Sequence, residues 1–327
     1  MNKKYCIICA GLMLISLLSG CKPNKESSPA GEEKIRIVAA IFPAYDWTRN
    51  ILGDDPAGAE LTLLLDNGVD LHSYQPSVDD ILTISKADLF IYVGGESDGW
   101  VTDALKRADK ADMRVIKMLD AIGDAAREEE LAEGMQAEEE PEEEEAYDEH
   151  VWLSLRNAAA VCKAITAELS ALDPAHAQDY EANAAAYTEK LQELDGAYRQ
   201  AVDAGTVKTL LFGDRFPFRY LTEDYGLDYY AAFSGCSAET EASFETVTFL
   251  ARKAEELDLP AVLTIDGTDR RIAETVARNT GGRERQILTL DSLQSVSAKD
   301  IENGLTYLSV MESNLEVLRQ ALGTEVK

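Results

Sequence analysis

The strongest constraint in this chain is an alternation of short apolar, β-branched runs with stretches of helical period, played through twice. The first series is IRIVAAIF, LTLLLD, DLFIYVGG and MRVIKMLD, with helical segments near DWTRNILG, VDDILTISKA and VTDALKRA between them. Strands separated by helices predict a parallel, doubly wound sheet. The second series is TVKTLLFG, LDYYAAF, PAVLTID and QILTLD, and it closes on an amphipathic helix in NGLTYLSVMESNLEVLRQAL. Between the series, residues 157–205 are helical in period, with Asp173 and Pro174 placed as N-cap and first-turn residue of the second half. A continuous helix of roughly 30 residues is about 45 Å long and stiff. The expectation is an α/β protein of two similar lobes, each a four-stranded parallel sheet flanked by helices, joined by one long rigid helix. The predicted bounds are 35–173 for the first lobe, 174–204 for the linking helix and 205–327 for the second lobe.

Ahead of the first lobe, MNKKYCIICAGLMLISLLSGC has two lysines, an apolar run and small residues ending at Cys21, the layout of a cleaved export signal over 1–20. That run is short for a bilayer-spanning helix, which needs about 20 apolar residues. LSGC resembles the bacterial lipobox, which predicts lipidation of Cys21. Residues 22–34 are polar and rich in Pro, Ser and Gly, so Cys21 and the segment to 34 form a lipidated, flexible tether. The protein is then expected on the extracytoplasmic face of the cell membrane, held by its lipid and monomeric.

The formal net charge of −29 argues against nucleic-acid binding and suits a protein that attracts cations. Once Cys6 and Cys9 leave with the signal, Cys162 and Cys236 are the cysteines not lipidated, and neither a disulfide framework nor a cysteine metal cluster is expected. Glu128 to Glu149 holds 13 acids in 22 residues and no lysine or arginine, and reads as a self-repelling disordered loop. Whether it gathers cations is left open by composition.

Ligands in open parallel sheets bind beyond the carboxyl ends of the strands. His72 lies in the loop after the second strand, His150 after the fourth, Asp214 ends the first strand of the second lobe and Asp291 ends its last. Two imidazoles with one or two carboxylates suit a first-row divalent metal, zinc above all. His176, on the first turn of the long helix, reads as a surface histidine. Trp47, Trp100 and Trp152 read as core or lobe-interface residues, with Trp152 close enough to His150 in sequence to report binding through its fluorescence.

DLHSYQPS resembles the His-x-Tyr-x-Pro segment of solute-binding protein family 9, the metal-receptor lipoproteins and periplasmic proteins that feed ATP-binding-cassette importers for zinc or manganese. His72, Tyr74 and Pro76 carry it. DEHVWLSLRNAAAVCKAI resembles the second ligand segment of that family and brings over His150, and ILTLDSLQS brings over Asp291 as a carboxylate ligand. YEANAAAYTEKLQELD resembles the linking helix. The likeness covers nearly all of the chain after the tether, and an acidic or His-rich loop before the second histidine is common in the family. The departure is at the third ligand, where histidine or glutamate is usual and RFPFRYLTEDYGL puts Arg215. A guanidinium has no lone pair to give. Either Asp214 supplies the carboxylate or Arg215 pairs with an acid and the metal keeps a water; Asp214 is preferred, against its plainer reading as a helix cap. SGCSAETEAS resembles the loop that brings Glu239 or Glu241 near the cleft, and neither is taken as a ligand.

The resemblance implies a receptor that binds Zn2+ through His72, His150 and Asp291, with Asp214 the preferred substitute for the departing third ligand, and passes it to an ABC permease and its ATPase, without catalysis. Manganese or iron is the alternative cargo of the same type. From other classes, a metal-dependent hydrolase would need an open coordination position and a general base, and an adhesin would use the metal structurally. No His-Glu-x-x-His pattern or phosphate loop is present in the sequence.

Overall fold

In a computed structural model, residues 34–324 are described except 54–57, 109, 111, 137–146, 238–240 and 283. The signal, Cys21 and the tether to residue 33 lie outside the described residues, as does Glu239. Among the described residues no helix is long and apolar enough to cross a membrane.

The first series folds as β1 (Ile35–Ala39), α1 (Phe42–Leu52), β2 (Ala59–Leu63), α2 (Val78–Ser85), β3 (Leu89–Tyr92), α3 (Val101–Leu105), β4 (Arg114–Lys117) and α4 (Met118–Ile122). Two helices, α5 (Leu155–Leu172) and α6 (Ala177–Ala204), lead to the second series. That series is β5 (Thr209–Phe216), α7 (Arg219–Tyr225), β6 (Asp228–Ser234), α8 (Phe244–Glu256), β7 (Ala261–Ile265), α9 (Arg271–Asn279), β8 (Gln286–Leu290), α10 (Ala298–Glu302) and α11 (Tyr307–Ala321). The strand orders are β2-β1-β3-β4 and β6-β5-β7-β8, parallel throughout, so both lobes have the same topology. In each, the order reverses beside the first strand, which opens a crevice at the carboxyl edge.

The sheets read as apolar runs because both faces are covered: Ile37, Val38, Leu89, Phe90 and Ile91 in one, Leu210, Leu211, Phe212, Val262 and Leu263 in the other, are all buried. Capping follows the local sequence. Ser77 and Asp80 close a capping box on α2, and Ser154 caps α5 through the Asn157 amide. The long helix starts later than Pro174. Asp173 accepts from the Ala175 amide, Nδ1 of His176 and the Tyr180 hydroxyl, and these bonds hold a turn before α6 begins at Ala177. The helix therefore runs for 28 residues, with Tyr180, Tyr187, Leu191, Leu194 and Tyr198 on its buried side.

The lobes are sewn together by buried hydrogen bonds. The Tyr307 amide donates to Asp46 of α1 at 3.0 Å, the Tyr307 hydroxyl donates to the Trp152 carbonyl at 2.6 Å, and the Trp152 indole N–H donates to the Ser292 carbonyl at 2.9 Å. Trp47 packs edge-on against Tyr307 with ring centroids 5.1 Å apart. Trp47 and Trp152 are fully buried, and Trp100 sits against Tyr74 and Phe90.

Of the acidic segment, residues 137–146 lie outside the described residues, and the disorder expected of the segment is not seen in 128–136. Residues 128–136 lie along the second lobe: Glu130 pairs with Arg219 at 3.1 Å, Glu133 with Lys253 at 3.7 Å, and the Gln136 amide donates to the Ala232 carbonyl at 2.9 Å. Glu128 and Tyr147 pair as an isolated antiparallel bridge. The cations that offset its charge come from the other lobe, where a reading of local composition does not look.

Candidate metal centre

His72 sits in a single 3-10 turn, Leu71–Ser73, capped by the side chain of Asp70, whose Oδ1 accepts from the His72 amide at 3.0 Å. His150 precedes a second 3-10 turn, Val151–Leu153, and is fully buried. The two imidazoles meet at the carboxyl edge of the first sheet with Nε2 atoms 3.2 Å apart. Two nitrogens bound to one tetrahedral zinc at about 2.05 Å each stand about 3.3 Å apart, so the observed separation already fits a shared ion.

The outer nitrogens are held in place. Asp148 Oδ1 lies 3.0 Å from Nδ1 of His150 and also accepts from the His150 amide at 2.8 Å. Nδ1 of His72 lies 2.7 Å from the Ser97 hydroxyl and 3.6 Å from Glu149 Oε2, while Glu149 Oε1 accepts from the Ser97 amide at 2.7 Å. Carboxylates behind histidines fix ring orientation and leave the other nitrogen facing the metal. The electrostatics separate the pair. Burial, then the neighbouring His150, pull His72 down to about 3, with Asp70 opposing and Arg215 adding to the fall. Burial also opposes charge on His150, but the carboxylates of Asp148, Glu149 and Glu129 outweigh it and hold His150 above the ordinary imidazole value.

The two sequence-predicted carboxylates make their hydrogen bonds within the second lobe. Asp214 lies within β5, which runs on to Phe216 past an irregularity between Phe212 and Arg215, and does not end the strand. Its Oδ2 accepts from the hydroxyls of Thr264 and Thr268 at 2.5 and 2.6 Å and from the Ile265 amide at 3.2 Å, all in its own lobe. Its neighbour Arg215 reaches across and pairs with Asp70 Oδ2 at 2.7 Å. Burial raises Asp70, but the hydrogen bond and charge of Arg215, with His72, bring it below the usual carboxylate range. Asp291 accepts from the Leu293 amide at 2.8 Å, and its backbone is clasped by Asn314. Burial, then the charge of Asp266, push it up to about 6. Neither Asp214 nor Asp291 joins the two histidines in a group of donor atoms compact enough for one ion; the third member of that group is Cys236, with donor atoms all within 4.8 Å. His176 pairs with Asp173 on the helix approach and Glu241 is exposed.

The residues that sequence reading passed over are Asp70, Ser97, Glu149, Gln294 and Cys236. Gln294 is buried, and with its amide nitrogen donating to both Asp70 oxygens at 3.1 Å its carbonyl oxygen lies 3.1 Å from Nε2 of His150. Cys236 follows β6 by two residues, so the same strand-edge rule that singled out His72 also points at it. A cavity of about 570 Å3, lined by Asp70, His72, Ser73, Asp214 and Arg215 among others, opens onto this region.

Two like-wound α/β lobes tied by a long helix, with paired imidazoles between them, define a two-lobed solute-binding protein. The chain belongs to the family described as zinc-uptake complex component A, periplasmic, whose model matches residues 37–321. It is 32% identical over 327 residues to the zinc-binding lipoprotein AdcA of Streptococcus pneumoniae, covering 99% of this chain and 62% of that relative, so the chain spans less than two thirds of it. It is 28% identical to the high-affinity zinc uptake system protein ZnuA of Bacillus subtilis, with 96% of each covered. Among solved structures, the zinc-bound ZnuA-like domain of Streptococcus pneumoniae AdcA superposes with a TM-score of 0.69 at 32% identity, covering 89% of this chain and all of that domain.

Proposed function

We propose that the protein is an extracytoplasmic lipoprotein receptor that takes zinc between its lobes and delivers it to an ABC permease and its ATPase. The observation that carries this reading is the 3.2 Å approach of two Nε2 atoms, each on a ring backed by oxygen partners. Two imidazoles on hydrogen-bonded mounts hold a borderline-soft cation without further reorganisation. Family membership and the zinc-binding names of the relatives support zinc as the cargo and an importer as the partner. The buried bonds of Tyr307 and Trp152 across the lobes support capture with small closing movements. Anchoring through Cys21 rests on the lipobox-like LSGC.

In this proposal His72 and His150 are ligands, while Asp214 and Asp291 shape the second lobe beside them. Replacing His72 or His150 by alanine is expected to abolish tight zinc binding in titration calorimetry while the circular dichroism spectrum is kept. Wild-type affinity in both variants would reject the reading. Stripping the metal should leave the fold intact and rebinding reversible, as a receptor requires and a structural site does not permit.

A further inference from the structure

Arg215 stands where a third ligand is expected from the family pattern, and it is occupied with Asp70 at 2.7 Å. The donor that comes to the histidines instead belongs to the next strand. After β6 ends at Ser234, the chain passes directly against the His150 ring at Gly235. A Cβ at that position would stand 2.9 Å from Cε1 and 3.1 Å from Nδ1 of His150, and 2.9 Å from the Phe216 carbonyl, so only glycine lets the backbone come this close. The next residue is Cys236.

The loop is held from two sides. The Cys236 amide donates to Glu129 Oε1 of the acidic segment at 3.0 Å, and Nη1 of Arg215 reaches the Ser237 carbonyl at 3.5 Å. Thus an acid from the first lobe and the displaced arginine both position the backbone that carries the thiol. The ligand atoms of His72, His150 and Cys236 lie within 4.8 Å of one another. In a tetrahedral site with Zn–N about 2.05 Å and Zn–S about 2.3 Å, a nitrogen and a sulfur stand about 3.6 Å apart. Closing that difference takes a side-chain movement of about 1 Å or a small approach of the lobes.

We propose that Cys236 is the third protein ligand of the cleft, its thiolate completing a His2Cys set for zinc. This rests on the reading of the cleft as a metal site. On binding, the S–H bond breaks, its proton leaves to solvent and the sulfur pair forms the metal–sulfur bond; no electron is transferred. The fourth position falls to the Gln294 carbonyl oxygen or water, since Gln294 already sits 3.1 Å from Nε2 of His150. A thiolate in place of an oxygen donor moves preference toward zinc and away from manganese. It also separates this chain's site from one built of nitrogen and oxygen alone.

Cobalt(II) titration of the full chain tests the assignment, because cobalt follows zinc in geometry and a thiolate ligand adds an intense near-ultraviolet charge-transfer band. The wild type is expected to show the band, and Cys236→Ser to lose it and to bind zinc more than ~100-fold more weakly, above the loss from outer-shell changes. Saturable cobalt binding without the band, and equal zinc affinity in C236S, overturns ligation by Cys236 and leaves the two-histidine site standing. Absence of any cobalt or zinc binding by the wild type overturns both. If C236S does not fold by circular dichroism, alkylation of the Cys236 peptide in the wild type decides: slowing by zinc supports the assignment and an unchanged rate rejects it.

Discussion

Asp148→Asn removes one charge from behind the candidate site and little else. Asp148 Oδ1 makes both contacts to His150, with the amide at 2.8 Å and with Nδ1 at 3.0 Å, and an amide oxygen can accept both. The backbone anchors of Asp148, its amide to the Arg127 carbonyl and its carbonyl to the Tyr220 hydroxyl, do not involve the side chain. An ion on Nε2 lies across the ring, roughly 6–7 Å from Oδ1 by bond lengths. A unit charge and a dication at that distance attract by about 5 kcal/mol at an effective dielectric of ~20 and by about 1.3 kcal/mol at that of water. Outer-shell carboxylates behind metal-bound histidines are worth 10–100-fold in affinity, about 1.4–2.7 kcal/mol, which falls inside those bounds. Because His150 is fully buried and Asp148 nearly so, the larger half of the range applies, and a loss of ~30–100-fold is expected. Competition against a chromophoric chelator measures it, with the urea midpoint as a control for the fold. Zinc affinity within about threefold of wild type in a folded D148N protein would falsify the view that this carboxylate supports a metal on His150.

Trp152 lies edge-on to His150 with centroids 5.3 Å apart and its N–H bonded to Ser292 in the other lobe, so zinc should change its emission. Trp152→Phe is expected to abolish the zinc-dependent fluorescence change; a change of full size from Trp47 and Trp100 alone would contradict this. Burial, then the charge of Glu149, push Asp98 up to about 6 against the bonds it accepts from the Val93 and Gly94 amides. A carboxyl whose folded value exceeds its unfolded 3.8 favours the folded state while protonated, and that contribution is lost as pH rises through 3.8 to about 6. The unfolding free energy of Asp98→Asn, relative to wild type, should therefore rise by up to ~3 kcal/mol between about pH 4 and pH 7. A flat difference in denaturation across that range would show that Asp98 does not carry the shift.

The lobes were legible because strand and helix periods are local, and buried parallel strands print as apolar runs such as LFIY and AVLTI. His72 and His150 were legible for a related reason: the loops after parallel strands share one edge, so position along the chain stands in for position in space. That rule is silent about which way a side chain turns at the edge. In β5, Asp214 and Arg215 are neighbours, yet one is bound into its own lobe by Thr264 and Thr268 while the other crosses to Asp70. No local pattern distinguishes the two, because the irregularity after Phe212 is set by pairing with β6. The acidic segment shows the same limit from the other side, since Arg219 and Lys253 offset the charges of Glu130 and Glu133 from 89 and 120 residues away.

The chain's own order of residues determined two α/β lobes, a helix between them and a pair of imidazoles brought to a common edge, all of which follow from short-range periodicity and parallel connection. Only the tertiary structure decided which donors stand beside those imidazoles. It gave Asp214 and Asp291 hydrogen-bond partners in their own lobe, ran Gly235 against the His150 ring and brought the Cys236 donor atom within 4.8 Å of the imidazole nitrogens. The physical reason is that coordination depends on side-chain direction to within about an ångström, and that is settled by packing between segments far apart in sequence.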